Sequence, residues 1–476
     1  MKTCTQFFID GRWVDPIGNR TLQVENPATE RPVGIIALGT NADVDRAVTA
    51  ARRAFQTFGV TTSEQRIEHI QRIIRVYSKY ASEIAVSICA EMGSPLKMCH
   101  EFQAATMSTW LQNIVSVLKT YPFSEQVGGG TVVREPIGVC ALITPWNVPV
   151  HQLACKIAPA LAAGCTMVVK PSEISPISSY VFAEVVREAG LPPGVFNLVN
   201  GDGPTVGAAL AAHPDVDMVS LTGSTRAGTE VLRSGAETIK RVACELGGKS
   251  PNVILRGVNL REVITRDVRR MMWNTGQACN APSRMLVPRD QLDDVVAIAR
   301  DAAEAMVVGD PNDVSTELGP VASRAQYDKI QHYIQIGIDE GATLVTGGLG
   351  RPAGRTVGHY VRPTIFSNVR NDMTIARDEI FGPVLCLIPY DSESDAIRIA
   401  NDTRYGLAGY VSGPTADSAR RIANQLRAGT IHMNGAGHDY LLPFGGYKQS
   451  GVGREWGRFA LDEYLQMKSL PGTAAA

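Results

Sequence analysis

The sequence predicts an α/β protein with two parallel-sheet units, and three observations carry that prediction. Short apolar runs alternate with helical patterns from residue 139 to residue 243. A second alternating block runs from about 252 to 432. Hydrophobic residues make up 44% of the chain and charged ones 20%, enough apolar material for real cores. Strand–helix–strand alternation places helices on both faces of a parallel sheet, a layout that suits nucleotide binding. A length of 476 residues predicts two or three domains.

Taken in order, residues 42–117 read as helices. Ala42-Asp43-Val44-Asp45 supplies acidic residues for a first turn, and apolar positions recur at three and four spacing through Phe58. Ser63, Arg66 and Ile67 open a second periodic segment that reaches Met92, and the Gly93-Ser94-Pro95 break precedes a third. Residues 122–137 differ, because Gly128-Gly129-Gly130 followed by 131–134 predicts a hairpin or projecting arm. Strands at 139–143, 166–169, 195–199, 218–221 and 241–243 then alternate with helices at 178–189, 204–212 and 225–235. The second block holds strand-like 283–287 and 384–389, with helical 291–307, 323–340 and 392–399. Two such units imply a cleft between them. A small-residue tail at 471–476 ends the chain.

Composition excludes several function classes. Lys plus Arg is 46 and Asp plus Glu is 47, a net charge of −1, which argues against a nucleic-acid or anionic-membrane surface. The nine cysteines are odd in number, scattered and free of CxxC pairs, the usage of a reducing compartment. Asp10 and Arg12 come too early for a secretory leader. The longest apolar run, 157–169, is interrupted by Pro159 and falls short of the roughly 20 residues a bilayer span needs. The expectation is a soluble cytoplasmic protein with no nucleic-acid or membrane partner. The eight histidines show no HxxxH or HExxH spacing, so no metal is expected and they read as ordinary surface or core residues.

Three side chains stand out as chemistry. Cys279 lies on a Gly-containing segment, Asn274-Thr275-Gly276-Gln277-Ala278-Cys279-Asn280, between a helix and a strand, where backbone N–H groups can converge on a thiolate, or else it is a buried, inert cysteine, with the local composition favouring reactivity. Glu245, beside Gly247 and Gly248 after a strand, is placed to activate a water as general base, or else is a surface or capping carboxylate. Asn147, after the strand ending at Ile143, is either an oxyanion donor or a turn residue before Pro149. No GxGxxG follows the first strand. Gly201-Asp202-Gly203-Pro204 and Leu221-Thr222-Gly223-Ser224-Thr225 are its nearest substitutes, each setting glycine or hydroxyl residues at a helix start that favours phosphate. Lys170-Pro171-Ser172-Glu173 offers a charged pair for ribose hydroxyls or a plain salt bridge.

Together these stretches resemble the NAD(P)-dependent aldehyde dehydrogenases of the non-acylating, hydrolytic type. The resemblance rests on seven peptides in family order: Thr144-Pro145-Trp146-Asn147, Lys170-Pro171-Ser172-Glu173, Thr222-Gly223-Ser224-Thr225, Glu245-Leu246-Gly247-Gly248-Lys249, Gly276-Gln277-Ala278-Cys279, Glu379-Ile380-Phe381-Gly382-Pro383 and Pro443-Phe444-Gly445-Gly446-Tyr447-Lys448-Gln449-Ser450-Gly451. It implies a modified Rossmann nucleotide-binding domain at 1–117 and 138–248, a second α/β catalytic domain at 249–450, and an oligomerisation arm and tail at 118–137 and 451–476. Cys279 would attack the aldehyde, with the oxyanion held by Asn147 and the Cys279 N–H. Hydride would pass to the nicotinamide, and Glu245 would activate the water that hydrolyses the thioester to an acid. The resemblance counts Lys170 with the catalytic set as well as with the cofactor. Cofactor contacts would come from Ile143, Thr144, Pro145, Trp146, Lys170, Ser172, Glu173, Gly203, Pro204, Gly223, Ser224, Leu246, Glu379 and Phe381. Glu173 near the ribose 2′ position would repel a 2′-phosphate, which favours NAD, with NADP as the alternative.

By family position, Val148, Gln152, Cys155, Trp273, Ala278, Asn280, His438 and Phe444 would line the aldehyde tunnel. Small groups at Val148 and Cys155 between Trp273 and Phe444 walls would admit a bulky or aromatic aldehyde. Leu221, Ala278, Asn280 and Pro282 depart from the commonest family pattern, a change of pocket wall rather than of chemistry. A CoA-acylating semialdehyde dehydrogenase is disfavoured by Glu245, which such enzymes lack. A crystallin-like binding protein is disfavoured by the intact Cys279, Glu245 and Asn147. Residues 122–137 and 461–470 match segments that pair between subunits in the family, so a homo-oligomer, a dimer or a dimer of dimers (a homotetramer), is expected.

Overall fold

A computed structural model describes residues 1–473, so the last three positions of the small-residue tail read at 471–476 lie outside the described residues. Among the described residues the strands form four sheets. The first has a parallel core in the spatial order Arg241–Glu245, Met218–Thr222, Val139–Ile143, Thr166–Lys170, Phe196–Leu198. Val139–Ile143, Thr166–Lys170 and Met218–Thr222 are buried at every position, the signature of strands covered on both faces. The chain winds outward from Val139–Ile143 in one direction and then returns to add Met218–Thr222 on its other side. The reversal opens a crevice at the carboxyl ends of those two strands.

Antiparallel strands extend this sheet at both edges. Phe7–Ile9 and Arg12–Val14 join one edge, and Gly451–Val452 joins the other against Arg241–Glu245. Stretch 451–464, grouped by sequence with the tail, is thus part of the first unit. Its helix Gly457–Glu463 packs on Pro149–Ala163 and Ala105–Leu118. The helical reading of 42–117 becomes Asn41–Phe58, capped by a Thr40/Asp43 box, and Ser63–Met92, capped by Thr62 and Gln65 and ended by Gly93 at φ 79°. The third segment is broken by a π-helical stretch, Cys99–Ala104.

The second sheet orders Thr343–Thr346, Thr364–Ser367, Val384–Tyr390, Arg284–Pro288, Pro251–Ile254, Ala408–Ser412 and Thr430–Met433, parallel except for the first strand. Glu245 ends a strand of the first sheet and Pro251 begins one of the second, so only residues 246–250 join them. That short link turns the carboxyl rim of one sheet toward the amino rim of the other. The arm is a hairpin of Ser124–Val127 and Gly130–Pro136, turning at Gly128 with φ 57°. Leu465–Pro471 pairs with Gly130–Pro136 in register from Leu465↔Pro136 to Pro471↔Gly130. The two segments expected to pair between subunits therefore pair with each other inside one chain, because helix Gly457–Glu463 delivers the end of the chain beside the arm.

Candidate active site

The carboxyl rim of the first sheet brings together Thr144-Pro145-Trp146-Asn147, Thr222-Gly223-Ser224 and Glu245-Leu246-Gly247, at the ends of three adjacent strands. Ser224 caps helix Thr225–Ala236, its Oγ accepting from Ala227 N at 3.2 Å. Thr144 Oγ1 and Thr222 Oγ1 are buried there without partners. Leu246 is buried under Gly228, where a Cβ would stand 2.6 Å from its Cδ1. Further along the rim, buried Lys170 donates from Nζ to the carbonyls of Pro171 and Gly201, each at 2.8 Å, and to Glu173 at 3.4 Å. Burial lowers its pKa. Ser172 Oγ accepts from Ile174 N, and Gly203-Pro204 opens a helix capped by Asp202.

The nucleophile segment is held as a knot of hydrogen bonds. After helix Leu260–Met272, Asn274 and Thr275 take φ of 53° and 56° and Gly276 takes 70°. Non-glycine residues there are strained by about 1–3 kcal/mol each and persist only where their surroundings hold them. Asn274 Nδ2 donates to Asn147 O at 3.0 Å and Gln277 O at 3.2 Å, Asn147 Nδ2 donates to Gln277 O at 3.0 Å, and Ala322 N donates to Gln277 Oε1 at 2.9 Å. A Cβ on Gly276 would collide with the Gly382 carbonyl. Cys279 emerges from this knot partly exposed, whereas the other eight cysteines are buried. Burial, with Glu379 and Glu245 nearby, pushes its thiol up, while the N–H groups of Asn280 and Cys279 pull it down.

Glu245 is 4% exposed, and neither carboxyl oxygen has a partner among the described residues. Burial first and neighbouring Glu455 second push its pKa well up, opposed by Lys156 and Arg454. Lys156, fully buried, donates to Glu455 Oε1 at 2.7 Å and Ser220 Oγ at 2.9 Å. Glu379 Oε1 accepts from Gly248 N at 3.0 Å, and a Cβ on Gly247 would collide with that carboxylate. Phe381, at φ 61°, meets Trp146 edge-on with ring centroids 5.3 Å apart. Gln326 Nε2 holds its carbonyl at 2.7 Å.

Two cavities converge on Cys279. One, of about 180 Å³, is lined by Pro145, Trp146, Asn147, Gln152, Gly223, Ser224, Glu245, Leu246, Cys279, Glu379 and Phe381 among others. The other, of about 60 Å³, is lined by Asn147, Val148, Gln152, Trp273, Ala278, Cys279, Asn280, His438 and Phe444 among others. Asn147, Gln152 and Cys279 belong to both.

Other expected site residues stand apart from the nucleophile. Lys170, Ser172, Glu173, Gly203 and Pro204 lie along the rim beyond the cleft lining, and Ile143 and Thr144 lie behind it. Lys170, engaged by backbone carbonyls, is thus not beside the reacting atoms. Cys155 is corrected, because it is buried and lines a separate small void with Trp110, Ile114 and Trp456. Helix Pro149–Ala163 is buried at every position, so no polar face marks which side meets the cavity.

Phe102, His151, Tyr440 and Trp456 also line the aldehyde side, and Gln326 and Lys329 the other. Phe102, His151, Trp456, Gln326 and Lys329 carry no local signal of this placement in the sequence. His151 and His432, ordinary histidines by their spacing, both belong to cavity walls. Burial pushes the His151 pKa down to about 3, and its Nδ1 accepts from Trp110 Nε1 at 3.2 Å.

Comparison with known proteins agrees with this geometry. The model of the aldehyde dehydrogenase family matches residues 13–470. A 3-succinoylsemialdehyde-pyridine dehydrogenase from a Pseudomonas species is 54% identical over 99% of both chains. Aldehyde dehydrogenase C from Pseudomonas syringae, solved as a cysteine-to-alanine mutant with NAD+ and octanal, superposes with a TM-score of 0.98 at 49% identity, covering 99% of this chain and 98% of that one. An aldehyde dehydrogenase from Mycobacterium tuberculosis, complexed with NAD+, gives 0.97 at 39% identity over 100% of both chains. On this match along nearly its whole length, the chain belongs to the aldehyde dehydrogenase family and is an oxidoreductase of that family.

Proposed function

We propose that the protein oxidises an aldehyde to its carboxylic acid with NAD, through a thiohemiacetal and then a thioester on Cys279. The observation that carries the reading is the meeting of two cavities at one partly exposed thiol, with an amide and an unpartnered carboxyl on the same walls. Asn147 spends one N–H of its amide on Gln277 O, which fixes the plane and leaves the second for an oxyanion on the carbonyl carbon. The Cys279 N–H is the second donor. The partly exposed thiol gives its proton to solvent water before attack, because only the thiolate is the nucleophile. Glu245, buried on the cleft wall and unpartnered among the described residues, then takes a proton from the water that attacks the thioester.

The rim fits a dinucleotide. It presents the hydroxyl of Thr222, unpartnered among the described residues, a helix start at Ser224 for a phosphate, and Glu379 and Phe381 where the nicotinamide end would lie. Held by these residues, a nicotinamide would supply the acceptor for the hydride that leaves the thiohemiacetal carbon. Lys170 and Glu173 would take the adenosine ribose, and the Glu173 carboxylate favours NAD over NADP.

The substrate in this reading is bulky or aromatic, since Trp273 and Phe444 wall a chamber floored by Val148. The relative named for a pyridine-bearing semialdehyde points the same way. An aldehyde panel followed by NADH absorbance, with NAD and NADP in parallel, tests both choices. Aromatic aldehydes with NAD should lead, and a preference for acetaldehyde would refute the chamber assignment. The reading includes a homo-oligomer, a dimer or dimer of dimers, supported by the exposed arm strand Ser124–Val127, and a cytoplasmic setting, supported by nine free cysteines. Among the described residues no helix is long and apolar enough to cross a membrane.

A further inference from the structure

The aldehyde chamber does not end near Cys279. Phe102, Trp273, Ala278, Asn280 and His438 line both it and a wider outer chamber of about 440 Å³, so the two chambers adjoin across shared walls. The walls of the outer chamber are largely aromatic and apolar, and its charge has one sign. Arg269 and Arg270 line it, and no carboxylate does. Arg269 is engaged by Glu317 outside the chamber.

Arg270 has no carboxylate within ion-pair distance among the described residues. Its Nη2 donates to Gly435 O at 2.8 Å and Ala436 O at 3.2 Å, and the guanidinium lies over Tyr410, 5.4 Å from the ring centroid. Those contacts fix its place and leave Nε and Nη1 free among the described residues. His432 stacks on Tyr410 at 4.7 Å, and its Nδ1 faces Ala436 O at 3.2 Å, which leaves Nε2 buried without a partner. Burial, followed by Arg270, pushes the His432 pKa down, and burial pushes that of His438 to about 4, so both rings are neutral near pH 7. The lasting charge of the outer chamber is the Arg270 guanidinium.

We propose that Arg270 is a specificity-determining residue: the outer chamber takes the far end of an extended aldehyde, a flat group bearing a hydrogen-bond acceptor that the guanidinium binds while the carbonyl carbon lies at Cys279. This rests on the aldehyde oxidation proposed above. A cation without a carboxylate partner, set between largely apolar walls, gains from an acceptor brought beside it, since hydrogen bonds to a charged group are the stronger ones, and aromatic walls favour a flat group there. A ketone oxygen and a carboxylate share this chemistry.

The test uses the full-length enzyme with NAD and three aldehydes: 4-phenylbutanal, 4-oxo-4-phenylbutanal and 3-(4-carboxyphenyl)propanal. The wild type should show kcat/KM about tenfold or more higher for an acceptor-bearing aldehyde than for 4-phenylbutanal, the usual scale of a hydrogen bond to a charged group. In Arg270→Met that ratio should collapse toward one, chiefly through KM. Arg270→Lys should keep part of the preference for the carboxylate and less for the ketone. A gain confined to the carboxylate would mark ion pairing, and a gain for both would mark an acceptor of either kind; each supports the role. Equal kcat/KM for all three in the wild type overturns it. So does a ratio unchanged in Arg270→Met, or an equal loss on all three, which would mean that Arg270 only braces the loop at 435–436. No NADH from any aldehyde in the wild type would overturn the oxidation reading as well.

Discussion

At Cys279 a cleft made of strand ends meets a chamber made of side chains, and the two are built differently. On the cofactor side the walls are backbone turns fixed by the parallel sheet, with Gly247 and Gly276 at spots where a Cβ would collide. On the aldehyde side the walls are rings borne by separate elements: Phe102 on a π-helical stretch, His151 on a buried helix, Trp273 after another, and Phe444 stacked on Trp456 at 4.4 Å. The first is over-determined by hydrogen bonds and close backbone approach. The second is a packing of interchangeable surfaces. The difference teaches that the reaction is set by the fold and the choice of aldehyde by a shell around it.

That contrast can be broken first at its centre. Cys279→Ala should abolish steady-state NADH formation, a loss of roughly 10⁴-fold or more as for removal of other covalent nucleophiles. Thermal unfolding should change little, because the side chain stands outside the hydrogen-bond knot. A retained rate would move the chemistry to another residue.

Glu245→Gln should cost about 10²–10⁴-fold, the range of a lost general base, with a stoichiometric burst of NADH preceding the slow phase because acylation survives. The same carboxyl sets a pH dependence. Its pKa is raised by burial, so it holds a proton at pH values where an exposed carboxylate has lost it. Only the ionised form is a base. Thioester hydrolysis should therefore rise with pH and be lost as pH falls through a midpoint above the ordinary carboxylate range. A midpoint inside that range would show that Glu245 is solvated in the working enzyme.

The smallest effect should come from the outer shell. Trp273→Ala should raise KM for an aromatic aldehyde by about tenfold and leave kcat within a few-fold, the pattern of lost uniform binding. A collapse of kcat instead would mean that the chamber wall also positions the carbonyl carbon, and the contrast between the two sides would fail.

The same divide separates what was legible in the sequence from what was not. Thr144 to Asn147, Thr222 to Ser224 and Glu245 to Gly248 are contiguous peptides at strand ends, so local pattern alone points to a rim. The parallel strands were readable because burial on both faces leaves unbroken apolar runs. The wall formed by Phe102, His151 and Trp456 was not readable, since each comes from a different element and looks locally like core. Cys155 failed for a related reason, as a helix buried all round has no polar face to orient it. The strands at 2–4, 7–9 and 12–14 were too short to show a period. The Lys156–Glu455 pair behind Glu245 joins residues 299 apart, which no local pattern can connect.

Two cavities with largely separate walls meet at the sulfur, and this bears on the order of events in a catalytic cycle. Traffic in one corridor need not wait for the other to clear. The acid can depart outward past Trp273 while the spent dinucleotide is still seated, and a fresh dinucleotide can dock before the next aldehyde arrives.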